Sequence, residues 1–317
     1  MRGLIVAGYG GHAAYSYAVA YELARVGIEL DIVLPRGYGY LTKRFEKLGK
    51  VHYMTLPRKP LEPFYKGLYK WPIAIAESLK LLREKYDFVF YGGSNFSVPP
   101  FIVEKFLKHS RAYTIEDHIH IPTKATRLLH ELGATVFLHW VDQLRVYPRG
   151  VVVGPVYEPP LYEPWDGGYV LVTTGTVGAK DLFDALVELD VEKAVVKTSD
   201  VDPEPYAKKK PNWVFFKYVE DMDKLIAGAS VVVVHPGVTA LTARLAYGKP
   251  VVVVYTKRHA KQYTVAEVKG FAEKINAVFV EEANPEKIAT AIDKAKKLDK
   301  PSFKNGAREI ASILVKD

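Results

Sequence analysis

The sequence predicts an α/β protein built from two doubly wound parallel sheets, and three observations carry that reading. Short Val/Ile-rich runs alternate with amphipathic stretches along the whole chain, the pattern of βα units around a parallel sheet. One proline-dense segment, from Gly154 to Gly168, interrupts the alternation near the middle. At 317 residues the chain is about twice a typical single domain, long enough for two sizeable cores.

In the first half, strands are expected near 3–8, 29–34, 51–56, 87–91, 110–115 and 134–139, with helices over 12–26, 72–85, 98–108 and 123–132. In the second half the strands fall near 169–174, 193–198, 212–216, 230–235, 250–255 and 277–280. Helices over 180–189, 221–228, 238–247, 259–274 and 285–297 fill the gaps. Right-handed crossovers make each half a doubly wound sheet. The expected boundaries are 1–157 for a first domain, 158–168 for a linker and 169–300 for a second domain; 301–317 forms a C-terminal helix packing back on the first. Two such sheets facing each other enclose a cleft with strand ends pointing into it, where ligands of open α/β folds sit. One large sheet with a proline-rich insertion is the alternative.

Composition narrows the chemistry. There is no cysteine, so disulfides, thiolate metal sites and cysteine nucleophiles are excluded. The opening MRGLIVAGYGGH is unlike a signal peptide, and no uninterrupted apolar run reaches the roughly 18 residues of a spanning helix. A cytosolic protein is expected. The formal charge of +8 favours anionic partners, and a Lys-rich thermophile surface would look the same. Charge alone does not choose among a nucleotide, a phospholipid surface and a nucleic acid.

Glycine turns at strand ends are the candidate sites. The first strand runs into Gly8-Tyr9-Gly10-Gly11-His12 and then a helix, a turn that offers free backbone N–H groups to a phosphate or an oxyanion. The spacing is not GxGxxG, so the dinucleotide fingerprint is only half met. His12, in the first helical turn, is the candidate base; a purely local hydrogen-bonding role is the plainer alternative. A second turn, Gly92-Gly93-Ser94, follows the strand DFVFY and leads into a Pro-Pro helix start. The strand RAYTIE ends in Glu116-Asp117-His118, which is either acid–base machinery with Glu116 at its centre or a solvated turn. In the second half, YVLVTT ends in Gly175-Thr176-Val177-Gly178, and SVVVVH ends in His235-Pro236-Gly237-Val238-Thr239. Each is a strand, a small-residue turn and a helix start, which makes a diphosphate cradle. In TKRHAKQY, Lys257, Arg258 and Lys261 are placed to reach phosphates and Gln262 a sugar hydroxyl, unless the run is simply a solvated loop.

These residues carry a resemblance. Through LVTTGTVG, FKYVEDMDKLIAGASVVVVHPGVTALTARLAYGKPVVVVY and HAKQY, the C-terminal half resembles the donor domain of glycosyltransferase family 28, of GT-B architecture with two Rossmann-like domains. That family includes the lipid-linked N-acetylglucosaminyltransferase of peptidoglycan synthesis and the catalytic subunit of the UDP-GlcNAc transferase of dolichol-linked oligosaccharide synthesis. Through GYGGH, FVFYGGSNFSVPP, YTIED, PTKATRLL and FLHWVDQLRVYPRGVVVGP, the N-terminal half resembles the membrane-recruiting subunit of that second enzyme. The chain thus resembles a fusion of acceptor half and donor half over residues 1–157 and 169–292.

The resemblance implies an inverting, metal-independent enzyme without a cofactor, moving a sugar, GlcNAc foremost, from a UDP donor to an isoprenoid phosphate or diphosphate acceptor. It implies Tyr218, Val219 and Met222 around the uracil, and Gly175, Thr176, His235, Gly237, Val238 and Thr239 at the diphosphate. Gln262 would then meet the sugar, and Gly10, Gly11, Gly92, Gly93 and Lys124 the acceptor. Where the family carries a glutamate for the ribose, this chain has Ala243, flanked by Thr242, placed to offer one hydroxyl, and Arg244, placed to pair with a phosphate, although successive helical side chains point about 100° apart and neither simply replaces the glutamate; Ala243→Glu is expected to tighten UDP about tenfold or more. The basic-aromatic stretch of Arg58, Lys59, Lys66 and Lys70 with Leu61, Phe64, Tyr65, Leu68, Tyr69 and Trp71 suits an anionic membrane surface, or is an ordinary loop and helix start. The implied partners are therefore a UDP-sugar, an isoprenoid-linked acceptor and the cytosolic membrane face; a homodimer is left open and no nucleic acid is expected. A nucleotide-sugar epimerase of the same fold and a non-catalytic binding subunit are the rival readings.

Overall fold

The apolar runs become the strands of two all-parallel sheets, and they are unbroken because helices cover both faces. The computed structural model describes residues 1–59, 62–107 and 110–316, with residue 64 by its backbone alone. The chain divides into two compact units, Met1–Val156 with the segment from Lys304 onward, and Tyr157–Phe303.

In the first unit the elements run β1 (Arg2–Val6), α1 (Gly11–Arg25), β2 (Glu29–Pro35), α2 (Thr42–Phe45), β3 (Lys50–Met54), α3 (Lys70–Leu81), β4 (Phe88–Tyr91), α4 (Val98–Leu107), β5 (Arg111–Glu116), α5 (Lys124–Glu131), β6 (Thr135–Leu138) and β7 (Val151–Val152). The second unit holds β8 (Val170–Thr173), α6 (Lys180–Leu186), β9 (Ala194–Lys197), α7 (Glu204–Lys209), β10 (Val214–Phe216), α8 (Met222–Gly228), β11 (Val231–Val234), α9 (Val238–Leu241), β12 (Val251–Val254), α10 (Val265–Lys274), β13 (Val278–Val280) and α11 (Pro285–Ala295). A last helix, α12 (Gly306–Lys316), returns to the first unit, where Gly306 N–H donates to the Pro155 carbonyl at 2.9 Å and Arg308 reaches Glu22 of α1.

The first sheet has the order β3-β2-β1-β4-β5-β6-β7 and the second β10-β9-β8-β11-β12-β13. Strand order reverses between β1 and β4 in one and between β8 and β11 in the other, the switch points at which doubly wound sheets bind ligands beyond their C-terminal strand ends. Register makes each crevice concrete: Val6 lies opposite Tyr91, and Thr173 opposite Val234. Behind them, Leu4, Val6, Val89, Tyr91 and Phe101 form one core, and Val172, Leu182, Phe183, Val233 and Ile288 the other. Burying each such side chain contributes about 1.5–3 kcal/mol.

Several expected elements shift for local reasons. The helix expected over 259–274 begins only at Val265, because the Thr264 hydroxyl caps it by accepting the Glu267 N–H. The helix expected over 238–247 widens into a π turn over Thr242–Ala246. The short α2, α7 and β7 carry too little periodicity to have been read.

Candidate functional site

In the first unit the β1 turn and the β4 turn meet at the switch point. Gly8 and Gly10 take φ of +71° and +59°, and Gly10 ends the turn as an N-cap with no side-chain cap, leaving the first N–H groups of α1 open. His12 Nδ1 lies 2.8 Å from the Gly92 carbonyl. A carbonyl only accepts, so Nδ1 carries a proton, and in the neutral ring the lone pair is then on Nε2. Gly93 makes this fit possible: its φ is +94°, and a Cβ there would fall 2.9 Å from His12 Nδ1. Ser94, next in the turn, holds φ of +67°, a conformation that costs a non-glycine residue of order 1 kcal/mol.

The β5 end separates its two carboxylates. Glu116 is 1% exposed, and its oxygens accept the His118 N–H at 3.1 Å, the Thr123 N–H at 2.9 Å and the Tyr147 hydroxyl at 2.8 Å. Burial, and then the charge of Asp117, push it up to about 7. The sequence expectation put Glu116 at the centre of the chemistry; the structure gives both its oxygens to holding the loop between β5 and α5. Asp117 has the other role. Burial raises it, but the fields of His118, His12 and His139 outweigh that and hold it below its usual value. It therefore stays ionised within electrostatic reach of His12. His139 is buried, its Nδ1 accepts the Val156 N–H at 3.0 Å, and burial lowers it to about 4. Lys124 is exposed at the start of α5.

In the second unit the crevice lies between β8 and β11. Gly175 takes φ of +71°, and a Cβ on it would fall 2.9 Å from His235 Cε1, so the ring of His235 rests on a turn that only glycine can make. The Gly175 carbonyl accepts from Lys197 Nζ at 2.6 Å and from Ser199 Oγ at 2.7 Å. His235 stacks on His259 with centroids 4.5 Å apart, and burial holds His235 well below its usual value and His259 at about 4. Both rings are neutral. Thr176 and Gln262 are exposed, Gly237 and Thr239 half-buried and Val238 buried, all on loops or helix starts that follow β8, β11 or β12. Tyr218, Val219 and Met222 line the segment from β10 into α8, with Tyr218 exposed and the other two half-buried. Among the described residues no group of three His, Asp or Glu side chains converges as a metal site.

The neighbours of Ala243 do not have the roles expected of them. The Arg244 guanidinium is buried and donates to the carbonyls of Ile275 at 3.3 Å, Lys249 at 3.2 Å and Leu298 at 3.1 Å, and to that of Asp299. It ties the segments that follow α10 and α11 to the one that precedes β12, and these carbonyls engage it in place of a phosphate. Thr242 Oγ1 accepts the Glu158 N–H at 3.1 Å, anchoring the proline-rich segment. Ala243 itself has no exposed surface, so a glutamate there would displace packed atoms rather than tighten a ligand by about tenfold.

The membrane stretch is exposed in part. Tyr65 and Tyr69 are each 68% exposed and Leu68 51%, with Lys70 Nζ 5.6 Å from the Tyr69 ring centroid. Leu61 lies outside the described residues, as does the Phe64 side chain. Among the described residues no helix is long and apolar enough to cross a membrane.

Residues 169–313 match the glycosyltransferase family 28 C-terminal domain. No curated protein matches the chain in sequence. Among solved structures, MurG of Acinetobacter baumannii aligns at 16% identity with a TM-score of 0.66, over 100% of this chain and 99% of that one. HepE of Anabaena, solved in complex with UDP and glucose, aligns at 16% identity with a TM-score of 0.61, over 100% and 96%. The UDP-N-acetylglucosamine 2-epimerase of Rickettsia bellii aligns at 13% identity with a TM-score of 0.65, over 100% and 94%. At these identities the structures speak for the fold, and the domain match speaks for the chemistry: the chain is a glycosyltransferase of the GT-B fold carrying a family 28 C-terminal domain.

Proposed function

We propose that the chain transfers a sugar, GlcNAc foremost, from a UDP donor to an isoprenoid phosphate- or diphosphate-linked acceptor at an anionic membrane face, with inversion and without a metal. The observation that carries the proposal is His12. Its Nδ1–H is held on the Gly92 carbonyl, so Nε2 is the free base, and Asp117 favours the imidazolium that forms when it takes a proton. The acceptor oxygen bonds to the anomeric carbon as the bond from that carbon to the diphosphate oxygen breaks. The hydroxyl proton passes to His12 Nε2, and the electron pair leaves with UDP. The Gly175 and Gly237 turns receive the diphosphate, and Tyr218, Val219 and Met222 the base. The exposed tyrosines beside Lys66 and Lys70 supply the membrane contact.

The epimerase reading draws on the Rickettsia structure, whose TM-score is within 0.01 of that of MurG. One assay separates them. With UDP-GlcNAc and an isoprenoid-diphosphate glycoside in anionic vesicles, the proposal expects a lipid product lengthened by one sugar and free UDP. Conversion of UDP-GlcNAc to its 2-epimer without acceptor establishes the rival; no turnover of either kind, with UDP still bound, establishes a binding subunit.

A further inference from the structure

Lys197 is the charged group at the second unit's glycine turn that the reaction above does not use. It closes β9, and its Nζ donates to the Gly175 carbonyl. Ser199 reaches the same carbonyl while holding φ of +58°, one of three non-glycine residues at positive φ among those described. Ser94, in the matching turn of the first unit, is another. Strain of this kind persists where the surroundings over-determine it, and it clusters at ligand sites. From the other side, His235 lies against Gly175 with a buried Nδ1 that has no hydrogen-bond partner. Side chains from β9 and β11 thus converge on one turn.

The charge around that turn does not balance. Among the described residues no carboxylate pairs with Lys197, and desolvation is the cause that acts on its ammonium. The acids nearby are engaged elsewhere: Asp200 takes the Gly178 N–H at 2.7 Å and the Arg258 guanidinium, and Asp181 takes the Lys257 N–H at 2.8 Å. His235 and His259 bring no negative charge. Taking an ammonium from water without a counter-ion disfavours its charged form. An arriving anion offsets that cost.

We propose that Lys197 provides the positive charge that binds the diphosphate of the nucleotide donor at the Gly175 turn and stabilises it as it leaves. This rests on the nucleotide-sugar reading above. Burial lowers Lys197 to about 8, so the free protein loses this charge as pH rises through that value. Binding the diphosphate then requires taking up a proton, and UDP affinity falls by about tenfold from pH 7 to pH 9.

Calorimetric titration of UDP into the wild-type protein, Lys197→Met and Lys197→Arg at pH 7 and pH 9 tests this. The wild type should weaken about tenfold across that range. Lys197→Met should bind about tenfold or more weakly at pH 7 and show no such dependence. Lys197→Arg should keep most of the affinity and lose the pH dependence, since its charge does not titrate here; it also guards against a Met variant that is merely misfolded. Wild-type-like UDP binding by Lys197→Met at both pH values overturns the role of Lys197 and leaves the donor reading standing. No UDP binding by the wild type overturns both.

Discussion

The two units solve the same topological problem and fill it with different chemistry. Each reverses strand order once, sets a positive-φ glycine turn at the reversal, and lays a histidine against that turn. In the first unit the histidine has an ionised carboxylate, Asp117, within electrostatic reach. In the second it is pressed against His259 and neighbours Lys197, with burial, the second ring and that ammonium all disfavouring its protonation. A histidine near a carboxylate is equipped to accept a proton; one beside an ammonium is equipped to stay neutral while the ammonium meets an anion. One architecture thereby sets a histidine in the field of a carboxylate in one unit and of an ammonium in the other, the contrast on which the proposed proton transfer and the proposed anion binding rest.

The sharpest way to break this comparison is at His12. His12→Ala should lower turnover by roughly 10²–10⁴-fold and leave UDP affinity at the wild-type value, because His12 and the Gly175 turn proposed for the diphosphate belong to different units. Steady-state kinetics with calorimetric UDP titration checks it; parallel loss of both would make His12 structural. Asp117→Asn should lower turnover by less than His12→Ala does while leaving UDP affinity and the melting midpoint at the wild-type values, a split that a purely structural role would not produce.

Acid should unfold the protein through the buried rings. His139 and His259 sit at about 4 in the folded chain and near 6.5 when unfolded, so the unfolded state takes up protons first. Their contribution is therefore intact above pH 6.5 and is lost as pH falls toward 4, by roughly 3 kcal/mol at most for each. Thermal melts across that range should show a steadily falling midpoint. A flat profile would mean that the rings are already charged in the folded state.

The smallest expected effect separates Glu116 from Asp117. Glu116→Gln leaves one oxygen for donors that now share two and sets an NH₂ against the rest, costing about 1–3 kcal/mol of stability in urea titrations. Turnover of the folded fraction should be nearly unchanged. Wild-type stability with lost turnover would restore Glu116 to the chemistry.

How much was legible in the sequence follows from what each signal depends on. The sheets were legible because VVVV at 231–234 and 251–254 has no polar face to expose, a pattern that only a doubly covered parallel strand supports. The placement of His12 beside the glycine turns was legible because a βα turn forces both backbone freedom and side-chain position within a few residues. The choice between Glu116 and Asp117 was not. Adjacent residues on a strand point to opposite faces, and which face receives Thr123 and Tyr147 is settled by contacts 7 and 31 residues away. Lys197 was invisible for the same reason: a lysine at the end of KAVVK reads as solvated until Gly175, 22 residues earlier, is folded against it. Arg244 read as a phosphate ligand because its carbonyl partners lie up to 55 residues along the chain.

The division of labour between the two units is tested most directly by a crystal structure with UDP-GlcNAc bound. The account predicts the nucleotide at the C-terminal ends of β8, β9 and β11, with its diphosphate on the Gly175 and Gly237 turns within reach of Lys197 Nζ and its uracil against Val219. A nucleotide seated instead on Gly10 and Gly11 of the first unit, with its phosphates against His12, would contradict it.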